Sequence, residues 1–335
     1  MATVGVIVNP HAGKDVRRLV SGASPVTDAT KVAIVRRVIV GAAESGAARI
    51  VLGADHAGLA ERAAHGLDVP VELLDGPQTG AHLDTIAAAR NAWKVDADAL
   101  VVLGGDGTCR DVVTGWPDAP LIALSTGTNN VFPTAGDGTS AGVAAGLIAS
   151  GRVALELVAH VAQRINVRVD APNIDTAVDE SALVDVALID AAFAGARAVT
   201  DPQSIRWVIA AIADPASTGL AAIAGRIAPS GRREPGGVLI RLGDGGRRVR
   251  VPLAPGTFTT LGVTAVTPLP ASTPVALEGG GMIAYDGERT TPAPVDTTIT
   301  ASIEASGPRL IDVERTLAIA AAERLFDLEE GPHGH

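Results

Sequence analysis

Aromatic residues make up only 2% of these 335 residues, while hydrophobic residues of all kinds reach 47%, so the cores have to be built from Ala, Val, Leu and Ile. Cysteine occurs once, at Cys109. That excludes an intramolecular disulfide and a cysteine-based zinc site, and it suits a reducing, cytoplasmic compartment. No activating His or Lys adjoins Cys109 in sequence, so it reads as a buried structural thiol rather than a nucleophile. Positive charge is short as well. A formal net charge of −10 argues against a nucleic-acid surface, which needs clustered Lys and Arg. No run approaches the ~20 consecutive apolar residues of a bilayer-spanning helix. The amino terminus enters Val4-Gly5-Val6-Ile7-Val8 almost at once, with no basic region leading into a longer apolar segment, so no signal peptide is expected. Internal repeats, long low-complexity linkers and a sustained basic amphipathic helix for membrane docking are all lacking.

What is present is organised around Leu100-Val101-Val102-Leu103-Gly104-Gly105-Asp106-Gly107-Thr108. Ala99–Leu103 has the length and uniform hydrophobicity of a strand buried on both faces of a parallel sheet. The three glycines supply backbone freedom and close approach to a ligand. The segment from Thr108 to Gly115 reads as a helix whose positive end is suited to phosphate. Asp106 in that loop serves to organise Mg²⁺, to accept a proton from an attacking hydroxyl, or simply to cap the helix.

Strand and helix alternate regularly around this loop. Val4–Val8 leads into Asn9-Pro10-His11-Ala12-Gly13-Lys14, a polar loop at a strand end, where ligands collect in open α/β sheets; Lys14 pairs with phosphate there or is simply solvated. Helices are expected over 30–43, 56–66, 81–94 and 139–150, and strands over 49–53, 69–74 and 120–125. The last strand ends in Ser125-Thr126-Gly127-Thr128-Asn129-Asn130-Val131-Phe132-Pro133, a second polar loop with hydroxyls and carboxamides for ribose or phosphate oxygens. The fold class is therefore an α/β domain over residues 1–150, a parallel sheet with helices on both faces. Beyond Gly151 the alternation stops. Segments rich in β-formers over 153–169, 183–189, 238–242, 249–253 and 257–266 indicate a mainly antiparallel β domain over 151–309. It carries a helical insertion over 203–227, broken near Asp214-Pro215. Arg232 and Arg233, with Arg247, Arg248 and Arg250, read first as charges protecting a hairpin edge, with recognition of an acidic substrate as the lesser alternative. Asp286-Gly287-Glu288 is a hairpin signal that also carries two carboxylates. Residues 312–328 have the periodicity of a last helix, and His333 and His335 lie in a frayed end.

Asn9-Pro10…Gly13-Lys14, Gly104–Thr108, Gly127-Thr128-Asn129 and Asp286-Gly287-Glu288, in that order, resemble the superfamily of NAD kinases and diacylglycerol-type lipid kinases. The stretch Ser125–Pro133 after the glycine loop is similar to the ATP-NAD kinase-like branch of acetoin catabolism protein X. The resemblance implies ATP bound between the two domains and Mg²⁺ on the transferred phosphoryl group. It also implies a carboxy-terminal helix over 310–328 that returns to the first domain. By the resemblance, Asn9, Gly104, Gly105, Gly107, Thr108, Thr126, Gly127, Thr128 and Asn129 hold the nucleotide. Asn130, Asp185 and Asp286 are expected on the acceptor side. The base is Asp106 by the NAD kinase pattern and Glu288 by the lipid kinase pattern, and both acids are present. NAD kinases carry Ala-Leu-Asn-Glu-Val where this chain has Ala182-Leu183-Val184-Asp185-Val186. Val184 cannot make the amide hydrogen bonds, and Asp185 is a shorter acid, so the acceptor is NAD or another hydroxylated metabolite. The expected activity is an ATP-dependent small-molecule kinase in the cytoplasm, assembled as a homo-oligomer, with no nucleic-acid or membrane partner. A nucleotide-binding regulatory or sensor protein without turnover, linked to acetoin catabolism, is the alternative, and a lipid kinase the third reading.

Overall fold

The apolar runs of the first half of the chain become the strands of one parallel sheet. The computed structural model describes residues 1–13, 26–126, 130–171, 177–190, 202–287 and 289–327. Within them β1 (Thr3–Val8), α1 (Asp28–Glu44), β2 (Arg49–Gly53), α2 (Leu59–Ala64), β3 (Val71–Leu74), α3 (His82–Lys94), β4 (Ala99–Gly104), α4 (Asp106–Gly115), β5 (Pro120–Ser125) and α5 (Gly138–Ala149) alternate as expected. Strand β4 is buried at every position. Its side chains alternate between two cores, because successive residues of a strand point to opposite faces. Val101 and Leu103 pack with α1, α2 and α5, through residues such as Val35, Ile39, Leu59 and Leu147. Leu100 and Val102 pack with α3 and α4, through Ala89, Ala92, Val112 and Val113. Helices thus cover both faces. On the first face α1 and α5 approach backbone to backbone, since a Cβ at Gly142 would lie 2.2 Å from the Val38 carbonyl oxygen. The Ala/Gly-rich composition of α5 is what permits that approach.

The region 153–169 differs from the strand expected of it. A one-turn helix, α6 (Leu155–Val158), precedes β6 (Ala159–Val161) and β7 (Arg164–Asp170). The β domain continues with β8 (Val178–Ala182), β9 (Asp185–Ile189), β10 (Ile205–Ala210), α7 (Leu220–Ile227), β11 (Gly237–Ala254), β12 (Thr257–Leu269), β13 (Val275–Glu278), β14 (Gly281–Tyr285), β15 (Arg289–Ala293) and β16 (Thr298–Glu304). The expected helical insertion over 203–227 is corrected by β10, which lies inside a sheet between β9 and β11; the α-helix in that stretch is confined to α7. Trp207, Val208, Ile209 and Ala210 are buried on both faces, so beyond the exposed Arg206 they form a short continuous apolar run. Periodicity alone cannot separate such a run from a buried helix.

Two antiparallel sheets, ordered β12-β11-β10-β9-β14-β15 and β13-β16-β7-β8, make the β domain. They pack face to face through Ile165, Val167, Val186, Trp207, Ile283, Tyr285, Ile299 and Ile303. The chain then re-enters the first domain through β17 (Arg309–Ile311) and α8 (Val313–Ala322). The parallel sheet reads β3-β2-β1-β4-β5-β17-β6. Both β6 and β17 belong to it, so the chain leaves that sheet after Val161 and returns to it at Arg309. Ala320 of α8 is buried in the core of the first domain. An apolar layer joins the domains, bringing Cys109, Val112, Val131 and Phe132 against Leu183, Val184, Ile212 and Ala221.

Candidate functional site

Strands β1, β4 and β5 are parallel neighbours in register, with Val8 beside Leu103 and Gly104 beside Ser125. Their carboxy-terminal ends therefore bring Asn9, Gly104–Gly105 and Ser125–Thr126 to one edge of the sheet. Asn9 Nδ2 donates to Thr108 Oγ1 at 2.8 Å, and the Gly105 N–H donates to the same oxygen at 3.4 Å. The Asn130 carboxamide donates to Ser125 Oγ at 2.9 Å and to the Gly104 carbonyl at 3.4 Å. None of Gly104, Gly105 and Gly107 adopts a positive φ. Glycine is required at 104 for room instead, because a Cβ there would lie 2.4 Å from Thr108 Cβ. Asp106, Gly107 and Thr108 form the first turn of α4, and the amino-terminal end of a helix is suited to an anion.

Asp106 turns its carboxylate toward the segment that follows the second polar loop. Its Oδ1 accepts from the Val131 N–H at 3.0 Å and from the Phe132 N–H at 2.8 Å. Thr126 is buried, its N–H donates to the Gly104 carbonyl at 3.2 Å, and its hydroxyl has no partner among the described residues. Lys31, fully buried on the apolar side of α1, donates through Nζ to the Asn9 carbonyl at 3.1 Å and the Pro10 carbonyl at 2.6 Å. It fixes the start of the β1 loop. The signal in sequence was a lysine one turn before Val35 on the apolar stripe.

The β-domain acids are enclosed. Asp286 has a fully buried side chain. It accepts from the N–H groups of Leu183, Val184 and Asp185 at 3.1, 2.9 and 3.3 Å, and pairs with Arg110 at 3.7 Å. Burial raises its carboxyl above the ordinary range, against the pull of Arg110 and these N–H groups. Asp185 is 5% exposed. Burial, then the fields of Asp286 and Asp106, push its carboxyl well up, while the Ala221 N–H at the start of α7 draws it down. Val184, in place of the NAD kinase asparagine, is 1% exposed in the layer between the domains. Asp185 and Asp286, expected on the acceptor side, thus face protein groups, whereas Asn9, Gly104, Gly105, Thr108 and Asn130 come together. Lys14, Gly127, Thr128, Asn129 and Glu288 lie outside the described residues.

Beside Asn9 a cavity of about 260 Å³ opens between the ends of β1 and β2, over the amino terminus of α3. Asn9, His11, His56, Asp84, Thr85 and Asp111 are among its lining residues. The His11 and His56 rings stack with centroids 4.6 Å apart. Burial raises the Asp84 carboxyl, but hydrogen bonds from Thr79 and Gly80 and the field of His56 bring it below its ordinary value. The stacked pair could not be read from the sequence, where its members stand far apart. Asp111 continues toward the β domain, accepting from Arg289 at 2.9 Å, and Arg289 reaches Glu180 at 3.4 Å. Arg110 donates to the Tyr285 carbonyl at 2.8 Å. Helix α4 is therefore tied to Tyr285 and Arg289, which precede and follow the Asp286-Gly287-Glu288 motif in the chain. Arg232, read from sequence as edge charge, points inward instead and donates to the Val131 and Phe132 carbonyls. Burial lowers its guanidinium below the ordinary value, opposed by the fields of Asp106 and Asp214. Among the described residues no group of three or more His, Cys, Asp or Glu side chains is arranged to hold a metal ion, and no helix is long and apolar enough to cross a membrane.

Residues 4–151 match the ATP-NAD kinase N-terminal domain, and residues 163–306 match the acetoin catabolism protein X C-terminal domain. The chain is 34% identical over 336 residues to acetoin catabolism protein X of Cupriavidus necator, covering 96% of this chain and 93% of that protein. It is 29% identical over 130 residues to an uncharacterized protein of Archaeoglobus fulgidus, covering 39% of this chain and 36% of that one. In three dimensions it is similar to yeast NADH kinase in complex with NADH, with a TM-score of 0.56 at 14% identity over 99% of this chain and 90% of that chain.

Proposed function

Since the chain belongs to the acetoin catabolism protein X family, a kinase-like family with an ATP-NAD kinase N-terminal domain, we propose that it is a cytoplasmic ATP-dependent kinase. It transfers the γ-phosphoryl group of ATP to a hydroxyl of a small molecule, and NAD, giving NADP, is the first acceptor to test. The observation that carries this is the convergence of Asn9, Gly104, Gly105 and Thr108 on the amino terminus of α4, with Asp106 at its first position. Phosphates bind at such an end through backbone N–H groups. The adjoining cavity, at about 260 Å³, gives the rest of the nucleotide a place, with the stacked His11–His56 rings as one wall. Phosphoryl transfer asks mainly for positioning and electrostatics. Asp106, two residues before Thr108, receives the proton of the acceptor hydroxyl in this reading. Mg²⁺ enters as part of the Mg-ATP substrate, held mainly by phosphate oxygens and water. Homo-oligomeric assembly is proposed with this activity.

The burial of Val184 and Asp185 favours a second reading, a nucleotide-binding protein without turnover, because neither side chain is open to a dinucleotide. Incubation with Mg-ATP and NAD, followed by an enzyme-coupled NADP assay, separates the two. NADP formation that depends on Mg²⁺ and is lost in Asp106→Asn supports the kinase with NAD as acceptor. Thermal stabilisation by ATP, with no ADP released alongside NAD or a panel of hydroxylated metabolites, would establish the second reading and discard the first.

A further inference from the structure

Arg232 lies outside every motif that carries the kinase reading. It sits between α7 and β11 in the β domain, yet its guanidinium reaches across to the α/β domain. There Nη2 donates to the Val131 carbonyl and Nη1 to the Phe132 carbonyl. The Val131 C=O and the Phe132 N–H are the two ends of one peptide group. At the far end, the Phe132 N–H donates to Asp106 Oδ1 at 2.8 Å. A cation and a carboxylate therefore flank one peptide group, each at the end whose partial charge opposes its own. Hydrogen bonds aligned in this way polarise and strengthen one another. Val131 and Phe132 are 3% and 1% exposed, so water does not readily replace the guanidinium.

The segment that carries Arg232 is anchored at the crossing between domains. Gln163 Nε2 donates to the Glu234 carbonyl at 2.8 Å, and its Oε1 accepts from the Gly236 N–H at 2.5 Å. Arg233 pairs with Asp312 at 2.8 Å, where the chain has returned to the first domain. Arg232 thus stands at a fixed position set by both domains.

We propose that Arg232 is a positioning residue for Asp106, acting through the Val131–Phe132 peptide to fix the direction of the carboxylate and tie it to the placement of the β domain. The catalytic part of this inference rests on Asp106 acting at the acceptor hydroxyl; the structural part does not. Arg232 and Asp106 attract one another electrostatically, so removal of Arg232 takes away a nearby positive charge that favours the ionised Asp106 carboxylate.

The test begins with residue-resolved amide hydrogen exchange on the whole protein, which needs no substrate. Arg232→Gln is expected to speed exchange at Val131 and Phe132 about tenfold or more, the scale of a charge-assisted hydrogen bond, while Val101–Leu103 in β4 keep their rates. Asp106→Asn does the same, and the double variant adds nothing to either. With an acceptor that the wild type turns over, Arg232→Gln lowers kcat about tenfold at unchanged KM for ATP. It also moves the acid limb of the pH–rate profile to higher pH, and Arg232→Lys recovers part of the loss. Unchanged exchange at Val131 and Phe132 overturns the proposal. So does a loss in which exchange rises equally throughout β4. If wild type shows no turnover but the exchange result holds, the link from Arg232 to Asp106 stands and the kinase reading falls.

Discussion

Asn9 and Thr108, ninety-nine positions apart, are joined by a 2.8 Å hydrogen bond that ties the end of β1 to the first turn of α4. The Thr108 hydroxyl also receives the Gly105 N–H, so one oxygen holds two loops and caps a helix. Thr108→Val keeps the shape and removes the hydroxyl. It should cost roughly 1–2 kcal/mol in urea unfolding, since the Gly105 N–H and the Asn9 amide lose their acceptor in a part-buried place. ATP affinity by calorimetry should fall as well. A variant with wild-type stability and wild-type ATP binding would show that this oxygen organises nothing.

Gly104→Ala sets a methyl group against the Thr108 side chain, with contacts of 2.4 to 2.6 Å. Thr108 must move, and the link to Asn9 breaks. Overpacking of this kind costs about 1–3 kcal/mol. The sharper measurement is the double variant Gly104→Ala/Thr108→Gly, which removes the Cβ as well as the Cγ2 and Oγ1 that the new methyl would meet. Its loss should be smaller than the sum of the two single losses, a non-additivity expected only of residues in contact. Simple addition of two losses would mean that the backbone, rather than Thr108, absorbs the methyl.

Much of this arrangement was legible in the sequence because strand-to-loop transitions are local. The run Ala99–Leu103 ending in glycines gives β4 and the start of α4, and Ser125–Asn130 announces the second loop. What stayed hidden is long-range. Trp207–Ala210 is apolar on both faces, so its periodicity does not separate strand from helix, and only pairing with β9 and β11 decides. Arg232 sits in a basic dipeptide that looks like surface charge, and nothing local says that it turns inward to Val131 and Phe132. The His11–His56 stack and the bonds from Lys31 to Asn9 and Pro10 likewise join elements that the chain holds apart. Asp185 and Asp286 occupy motif positions, but their burial depends on how two domains meet, and no short motif encodes that.

Asp286 takes a left-handed backbone with φ of 48° and gathers the N–H groups of Leu183, Val184 and Asp185. Asp286→Ala strands those donors and leaves Arg110, among carboxylates, only its 3.9 Å contact with Asp111. A loss of about 3–5 kcal/mol is expected for breaking one side of a buried ion pair. Asp286→Asn should cost less, because Oδ1 still accepts and asparagine tolerates the backbone angle. Chemical denaturation of both variants checks the ranking. Equal small losses would show that the turn finds other acceptors.

Asp185 gives a prediction with a definite sign. Its carboxyl is raised well above 3.8 by burial and by Asp286 and Asp106, whereas in the unfolded chain it titrates near ~3.9. As pH rises above about 4, the unfolded state releases this proton while the folded state keeps it, so stability falls up to the raised folded value. Asp185→Asn removes that term and keeps an acceptor for the Ala221 N–H. The gain in Tm over wild type should therefore grow from pH 5 to pH 8. Asp84 and Asp137, whose carboxyls are lowered, complete their contribution below this window. His160, lowered chiefly by burial, adds stability as pH rises through its ordinary range, but does so equally in both proteins and cancels in the difference. A Tm difference that is flat from pH 5 to pH 8 would mean that Asp185 is ionised in the folded protein. Its charge would then have to be balanced by α7 and by groups beyond the three-aspartate cluster.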